Sequence, residues 1–253
     1  MPTRGPNSAS REPLPLNDVI AGIHQSGVGV IQAAFEPTEV EQARRTVLAH
    51  LDLMKNTRPT PSQRHLAGFH RFPALEPLHQ LITGNRRAQG VLTGLLGPDY
   101  RTIGLSDITV NRSQQWHKDL LRGRFSHYLG DDRPCENHFG KLFKVILYLQ
   151  DSSSLQFVPG SHRRDISLES DEFAVPADDI PVHRVEARVG DAVVIDICTT
   201  HRGSTEESFQ SPQVSEHPRI LVSTVFGRTK CDFVERMELG NAERLAFWQR
   251  SNH

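Results

Sequence analysis

Hydrophobic and polar residues follow two different patterns along this chain. Up to Gly97-Pro98, apolar residues recur mainly at helical spacing. From Tyr100 onward, short apolar runs alternate with turns of Gly, Pro, Asn and Asp, which is typical of β-strands. Helices followed by a run of antiparallel strands predict an α+β fold with a mainly β core, in which the helices cover one face of a sandwich or barrel.

The first part of the chain is predicted to be mainly helical. Helices are expected over Leu16–Gln25, Pro37–Met54 and, as one or two segments, Leu78–Leu96, with a strand over Gly27–Ile31. The proline-rich segment Lys55–Pro77 predicts a long loop. The polar, proline-rich residues Met1–Pro15 predict a disordered lead, so that 16–253 would form a single domain.

The second part is predicted to consist of strands and turns. The expected strands are Thr102–Asn111, Leu142–Gln150, Leu155–Val158, His183–Val189, Ala192–Ile197 and Arg219–Phe226, and a helix over Gly240–Gln249 follows them. Because Gly190-Asp191 is a strong turn signal, we expect His183–Val189 and Ala192–Ile197 to form a hairpin. The second strand of this hairpin would deliver His201 at its far end.

Composition excludes several classes of partner. The 29 basic residues nearly balance the 30 acidic ones, so the chain has no charge excess suited to nucleic acid or to an anionic membrane. The apolar runs are too short to span a bilayer, and the first fifteen residues do not resemble a signal peptide. Three widely spaced cysteines, Cys135, Cys198 and Cys231, fit a reducing cytoplasm. Nothing in the sequence indicates an oligomeric state.

The strongest chemical signal is the pair His117-Lys118-Asp119 with the distant His201. Two histidines and one carboxylate are the ligands of a facial triad that holds Fe(II) and leaves the other positions open. A second His-x-Asp pair, His50 and Asp52, lies in the predicted long helix, where residues two apart point to nearly opposite sides. His117 and Asp119 follow a predicted strand, and in extended chain such residues share a face. Only this pair has suitable geometry.

An arginine beyond the distal histidine would complete a site for a dicarboxylate. Arg219 begins the last predicted strand, and its guanidinium could bind a carboxylate through two parallel hydrogen bonds. Arg202 and Arg228 are alternatives for the same role.

Several motifs in a fixed order resemble the phytanoyl-CoA dioxygenase family. They are Trp116-His117-Lys118-Asp119, Tyr148-Leu149-Gln150-Asp151, Val158-Pro159-Gly160-Ser161-His162, Gly190-Asp191-Ala192-Val193, His201 and Arg219. The resemblance covers residues 102–228. It implies a double-stranded β-helix (jelly roll, cupin-like) flanked by N-terminal helices, with Fe(II), the cosubstrate 2-oxoglutarate and O2. It also implies that His117, Asp119 and His201 bind iron, and that Arg219 binds the distal carboxylate of 2-oxoglutarate.

Three further residues are candidates for the 2-oxoglutarate site. Asn111 shares a strand face with residues that run toward His117, and Lys144 faces the same way as Ile146 and Tyr148. Ser204 lies close to the position where some family members carry a hydroxyl residue after the distal histidine. The segment between His201 and Arg219 is longer than is usual in the family, which predicts an extended loop over the site.

These expectations indicate an Fe(II)- and 2-oxoglutarate-dependent dioxygenase. It would oxidise, most simply hydroxylate, a small polar metabolite or natural-product intermediate and release succinate and CO2. A carboxylate at Asp119 favours hydroxylation, desaturation or cyclisation, because related halogenases lack that ligand. The alternatives are a cupin-like metal-dependent hydrolase or isomerase that does not use 2-oxoglutarate, and a non-catalytic jelly-roll binding module.

Overall fold

A six-stranded antiparallel sheet and a three-stranded sheet form the framework of the protein. The computed structural model describes residues 13–54, 62–130, 134–164, 180–205 and 217–250. The helices are α1 (Leu16–Ser26), α2 (Pro37–Ala49), α3 (Glu76–Thr83), α4 (Arg86–Leu96), α5 (Pro134–His138) and α6 (Asp232–Arg250). The strands are β1 (Val28–Ile31), β2 (Arg64–Ala67), β3 (Tyr100–Val110), β4 (Leu142–Tyr148), β5 (Gln156–Phe157), β6 (His183–Arg184), β7 (Ala192–Asp196), β8 (His201–Arg202) and β9 (Ile220–Arg228).

The large sheet has the strand order β1-β7-β4-β9-β3-β2, and every neighbouring pair is antiparallel. Successive side chains of a strand point to opposite faces. On β4, Phe143, Val145 and Leu147 belong to the large apolar core that includes helices α1 to α4. This helical layer covers one face of the sheet, and the other face is left for the interior between the two sheets.

The small sheet, with the order β6-β5-β8, packs against this inner face. Ile146, Tyr148 and Val193 of the large sheet form one apolar cluster with Phe157 and Val185 from the region of the small sheet. Two antiparallel sheets enclosing an interior, with helices on one outer face, match the predicted double-stranded β-helix. The interior contains both apolar and polar side chains.

The predicted hairpin around Gly190-Asp191 is wrong. Strand β7 pairs with β1 and β4 in the large sheet, whereas β6 pairs with β5 in the small sheet. The turn therefore carries the chain from one sheet to the other. A local turn signal shows where the chain reverses, but the choice of pairing partner depends on residues far away in the sequence.

The prediction of a continuous loop over Lys55–Pro77 is wrong in its second half, and Lys55–Pro61 lies outside the described residues. Strand β2 pairs with β3 and forms an edge of the large sheet, and two single turns of 3-10 helix, Phe69–Arg71 and Pro73–Leu75, follow it. Phe69 and Leu75 are fully buried, so tertiary packing gives this segment a structure that its composition does not suggest.

Other boundaries also differ from prediction. The last helix begins at Asp232 rather than at Gly240, and the segment His183–Val189 contains only the two-residue strand β6. Most of the predicted lead, residues 1–12, lies outside the described residues, so the domain start at residue 16 stays a prediction. No helix in the described ranges combines the length and hydropathy needed to cross a lipid bilayer.

Gly190 offers a test of the crossover between the sheets. Its φ of 91° lies in the left-handed region, and a Cβ there would lie 2.6 Å from the carbonyl oxygen of Phe35. We expect Gly190→Ala to lower the free energy of unfolding by about 1–3 kcal/mol, measured by urea denaturation.

Gly22 in α1 serves as the matched control, because a Cβ there meets no atom within 4 Å. Gly22→Ala should leave stability unchanged or raise it by up to about 1 kcal/mol. A Gly190→Ala protein as stable as the parent would show that the turn tolerates a side chain.

Candidate metal centre and adjoining cavities

Three side chains converge at one end of the interior between the sheets. One ligand atom from each of His117, Asp119 and His201 lies within 4.8 Å of the other two. The Nε2 atoms of His117 and His201 are 3.5 and 3.6 Å from the carboxylate oxygens of Asp119. Atoms bound to one metal at about 2.0–2.2 Å lie roughly 3 Å apart on adjoining positions, so these distances suit a shared metal ion.

Backbone pairing brings the two histidines together. His117 and His201 form an antiparallel bridge in which each N–H donates to the other carbonyl at 2.8 Å. The Asp119 N–H donates to the carbonyl of Ile197 at 2.9 Å and so extends the same contact. The imidazole rings stand 4.2 Å apart, centroid to centroid.

The hydrogen bonds of both rings select the tautomer that a metal requires. Nδ1 of His117 donates to the carbonyl of Gln115 at 2.6 Å, and Nδ1 of His201 donates to the carbonyl of Thr199 at 2.8 Å. Because a carbonyl only accepts, each Nδ1 carries the proton and each Nε2 keeps a lone pair for a metal ion. Burial lowers the pKa of His201 to about 3, and the neighbouring His117 ring contributes to this shift.

Asp119 is held in its charged form by a lysine. Lys144 Nζ, on the inner face of β4, donates to Asp119 Oδ2 at 3.0 Å. Burial alone would raise the pKa of Asp119, but the Lys144 ammonium is the strongest opposing effect, and this pKa lies well below its ordinary value. The carboxylate is therefore available as an anionic ligand.

The second His-x-Asp pair forms no such site. His50 Nδ1 donates to the carbonyl of Thr46 at 2.8 Å, at the end of α2, and Asp52 lies in a separate turn of 3-10 helix. Within the described residues, the triad of His117, Asp119 and His201 is the sole His, Cys or carboxylate cluster with metal-binding geometry.

A cavity between the sheets opens beside the triad. His201, Lys144, Tyr148, Ser204 and Arg219 are among its lining residues. Of the three arginines considered from the sequence, Arg219 alone lines this cavity. Arg202 donates to Gln156 and lies 5.0 Å over the Trp116 ring, whereas Arg228 is exposed at the far end of β9.

The other candidates occupy different positions. Lys144 and Ser204 line the cavity. Asn111 is not among the lining residues; its Oδ1 accepts the backbone N–H of Arg219 at 2.8 Å. The φ of Asn111 is 50°, a conformation that asparagine tolerates better than most residues. The structure thus gives Asn111 a contact that fixes the start of β9 and the backbone of Arg219.

Lys118 points away from the triad despite its place between two of the candidate ligands. Its buried Nζ donates to the carbonyls of Cys198, Ser161 and Arg164 and lies 3.0 Å from Cys135 Sγ. This lysine therefore ties together the segments that surround the centre. His162 is likewise structural, with Nε2 at 3.2 Å from the His24 carbonyl at the end of α1.

A second cavity adjoins the triad, and the sequence did not reveal it. His117, Asp119 and Lys144 line it together with residues from β2, β3, the segments before and after the triad and α6. Among the latter are His65, Asp107, Arg112, Arg122, Arg244 and Trp248. His65 was missed because its strand falls in the segment predicted as a loop. Arg244 and Trp248 have the i, i+4 spacing of one helix side, a signal common to many surface helices.

The chain belongs to the phytanoyl-CoA dioxygenase (PhyH) family, whose sequence profile matches residues 23–211. Membership makes it an enzyme of the 2-oxoglutarate-dependent oxygenase type, with iron and 2-oxoglutarate as its cofactors. A search of curated protein sequences finds no match.

Solved structures share the fold. The α-ketoglutarate-dependent epimerase SnoN from nogalamycin biosynthesis superposes with a TM-score of 0.62 at 19% identity, over 84% of this chain and 80% of that one. HygX from Streptomyces hygroscopicus, crystallised with nickel, 2-oxoglutarate and hygromycin B, gives 0.60 at 19% identity over 84% and 87%. The carbocyclase SnoK, also from nogalamycin biosynthesis, gives 0.62 at 18% identity over 86% and 88%.

The two His-x-Asp pairs allow a matched test of the metal centre. We expect Asp119→Asn to weaken Fe(II) or Co(II) binding by at least about 100-fold, since changes outside the ligand set already cost 10- to 100-fold in metal sites. Anaerobic calorimetric titration measures the affinity.

Asp52→Asn removes the equivalent carboxylate of the other pair and should bind metal like the parent protein. Circular dichroism of both variants reports whether the fold is kept. Equal metal affinity in Asp119→Asn and the parent would place the metal elsewhere.

Proposed function

We propose that this protein is an Fe(II)- and 2-oxoglutarate-dependent hydroxylase of a small polar metabolite or natural-product intermediate. The observation that carries the proposal is that His201, one member of the candidate metal-binding triad, lines the same cavity as Arg219. Because none of the three cysteines forms a disulfide, and on the charge and hydropathy grounds given for the sequence, we propose that the enzyme acts in the cytoplasm.

The donor set fits Fe(II). Two neutral imidazole nitrogens and one carboxylate would occupy three positions of the metal, which is the arrangement used by non-haem iron oxygenases. Lys144 has two roles in this arrangement. Its ammonium forms an ion pair with the carboxylate of Asp119, and the same side chain lines the cavity. An additional anionic ligand beside the metal would therefore find a positive partner.

The cavity fits a dicarboxylate such as 2-oxoglutarate. Arg219 is half-buried among Tyr148, Leu221 and Ile220, and burial lowers the pKa of its guanidinium. A guanidinium in such a pocket binds a terminal carboxylate by two parallel hydrogen bonds, and Ser204 supplies a hydroxyl in the same cavity. We therefore assign Arg219, Lys144 and Ser204 to the cosubstrate, and Asn111 to the positioning of Arg219.

When bound, iron and 2-oxoglutarate supply oxidation of an unactivated C–H bond with O2, succinate and CO2 being released. The contributions of the chain are orientation and exclusion of water. The Nδ1 hydrogen bonds of His117 and His201 fix the imidazole planes. Lys144 holds the carboxylate of Asp119, and Arg219 would bind the distal carboxylate of the cosubstrate. The apolar side chains Ile146, Leu155 and Leu221 keep the cavity walls dry.

Arg219 directly precedes β9 and Arg228 is its last residue, so the two arginines provide a matched pair. We expect Arg219→Gln to weaken 2-oxoglutarate binding to the metal-loaded protein by about ten- to hundredfold, as the loss of charge-assisted hydrogen bonds predicts. Arg228→Gln, at the exposed end of β9, should leave the affinity unchanged. If both variants bind 2-oxoglutarate like the parent, another residue holds the distal carboxylate.

Turnover tests the reaction itself. With Fe(II), ascorbate and a panel of small acidic, neutral and basic metabolites, we expect one class to stimulate release of succinate from 2-oxoglutarate. Under ¹⁸O2, a hydroxylated product carries one labelled oxygen atom, whereas an epimerised, desaturated or cyclised product carries none. Absence of succinate with every compound, in a protein shown to bind iron, would favour the metal-dependent hydrolase or isomerase.

A further inference from the structure

The second cavity, here called the outer cleft, has the position of a substrate site. It shares Asp107, Arg112, Gln114 and Lys144 with the cavity that contains Arg219. The candidate ligands His117 and Asp119 also line it. If 2-oxoglutarate occupies the Arg219 cavity, as proposed above, the outer cleft offers a separate space, within the described residues, from which a compound can approach His117 and Asp119.

The charged groups of the outer cleft are predominantly basic. Arg112, Arg122 and Arg244 line it, and Asp107 is the one carboxylate among the described lining residues besides the candidate ligand Asp119. The Lys144 ammonium is paired with Asp119, and the Lys118 ammonium is buried against backbone carbonyls. Among the described lining residues, three arginines therefore accompany one carboxylate that is not a candidate ligand.

The arginines of the cleft also affect the pKa of His65. Burial lowers its pKa most strongly, and the charges of Arg112 and Arg244 lower it further against the opposing effect of Asp107, whose Oδ1 lies 3.4 Å from His65 Nε2. The ring is accordingly neutral near pH 7 and adds no positive charge to the cleft. The basic character comes from the arginines alone.

Arg244 is the arginine that is best placed to bind a ligand. One Nη donates to Asn241 Oδ1 at 2.7 Å, which fixes the side chain, while its buried Nε has no hydrogen-bond partner in the described part of the protein. The guanidinium lies 4.9 Å over the ring of Trp248, one helical turn further on. A buried donor without a partner costs free energy, and a ligand oxyanion would remove that cost.

Trp248 gives the cleft an apolar surface next to this charge. The indole is 37% exposed, and His65 contacts it edge to face with 6.2 Å between centroids. Leu121 and Phe125 line the same cleft. An exposed indole beside a guanidinium is suited to a compound that carries a flat or apolar ring close to an anionic group.

We propose that the outer cleft binds the substrate, and that the substrate is a small molecule with an oxyanion group, a carboxylate or a phosphate, next to a ring. Arg244, supported by Arg122, binds the oxyanion, Trp248 packs against the ring, and the carbon to be oxidised lies toward His117 and Asp119. This inference rests on the proposed function for the identity of the metal centre, but the recognition of an oxyanion by Arg244 does not require turnover.

Three probes that share an indole ring separate charge from shape: indole-3-acetate, indoxyl phosphate and the neutral indole-3-acetamide. Each is titrated calorimetrically into the anaerobic protein saturated with Fe(II) and 2-oxoglutarate. The charge-transfer absorption of the iron–2-oxoglutarate complex shows that the cosubstrate is not displaced. We expect at least one anionic probe to bind about tenfold or more tightly than the amide, with an affinity that falls as salt rises. The stronger anion distinguishes a carboxylate from a phosphate substrate.

Single substitutions test which side chains produce the preference for the anionic probe. Arg244→Gln should remove the preference for the anionic probe, Arg244→Lys should retain part of it, and Trp248→Ala should weaken all three probes. Arg45→Gln, an exposed arginine paired with Glu41 on α2, is the matched control and should bind like the parent.

Equal affinity of the parent for the acids and the amide would overturn the proposal, and this result does not depend on any variant folding. A preference that survives in folded Arg244→Gln would overturn the role of Arg244. If 2-oxoglutarate itself fails to bind, the titration is repeated with metal alone. A retained preference for the anion would then support the cleft while the proposed function fails.

Discussion

The backbone pairing between His117 and His201 is the contact on which the candidate site depends. Each N–H of the pair donates to the other carbonyl, so the two residues are held opposite each other. Opposed residues of an antiparallel pair place their side chains on the same face. The pairing therefore sets the separation of the two rings, and the Asp119 side chain joins them because it lies two residues further along extended chain.

The alternation of side chains along the large sheet decides what surrounds this pair. One face of β4 is apolar and packs on the helices, while the other presents Lys144, Ile146 and Tyr148 to the interior. A lysine, an arginine and two aspartates in the interior would be costly if they were unpaired. Lys144 and Asp119 are tolerated because they pair with each other, and Asp107 Oδ1 lies 3.4 Å from His65 Nε2. The same groups give the two cavities their polarity.

The two cavities beside the triad differ in character, and this difference separates the two proposed roles. The inner cavity lies between the sheets and is lined by Arg219, by several hydroxyl residues and by Ile146, Leu155 and Leu221, in addition to the charged residues that it shares with the outer cleft. The outer cleft is bounded by β2, β3 and the end of α6 and contains an exposed indole and several guanidinium groups. Strands in the middle of the large sheet line much of the inner cavity, whereas the edge strand β2 and the helix α6 line part of the outer cleft. Marginal elements are where related enzymes vary most easily.

The sequence alone determined the class of fold and singled out the candidate triad and Arg219, because these depend on local patterns: strand alternation, the spacing of His117 and Asp119, and an ordered set of motifs. It could also reject His50 and Asp52, since helical geometry separates residues two apart. It could not place β2, assign β6 and β7 to different sheets, or bring His65 and Arg244 to one cleft. Those features arise from contacts between distant segments, and the free energy that decides them comes from burial and long-range strand pairing, which no short stretch of sequence encodes.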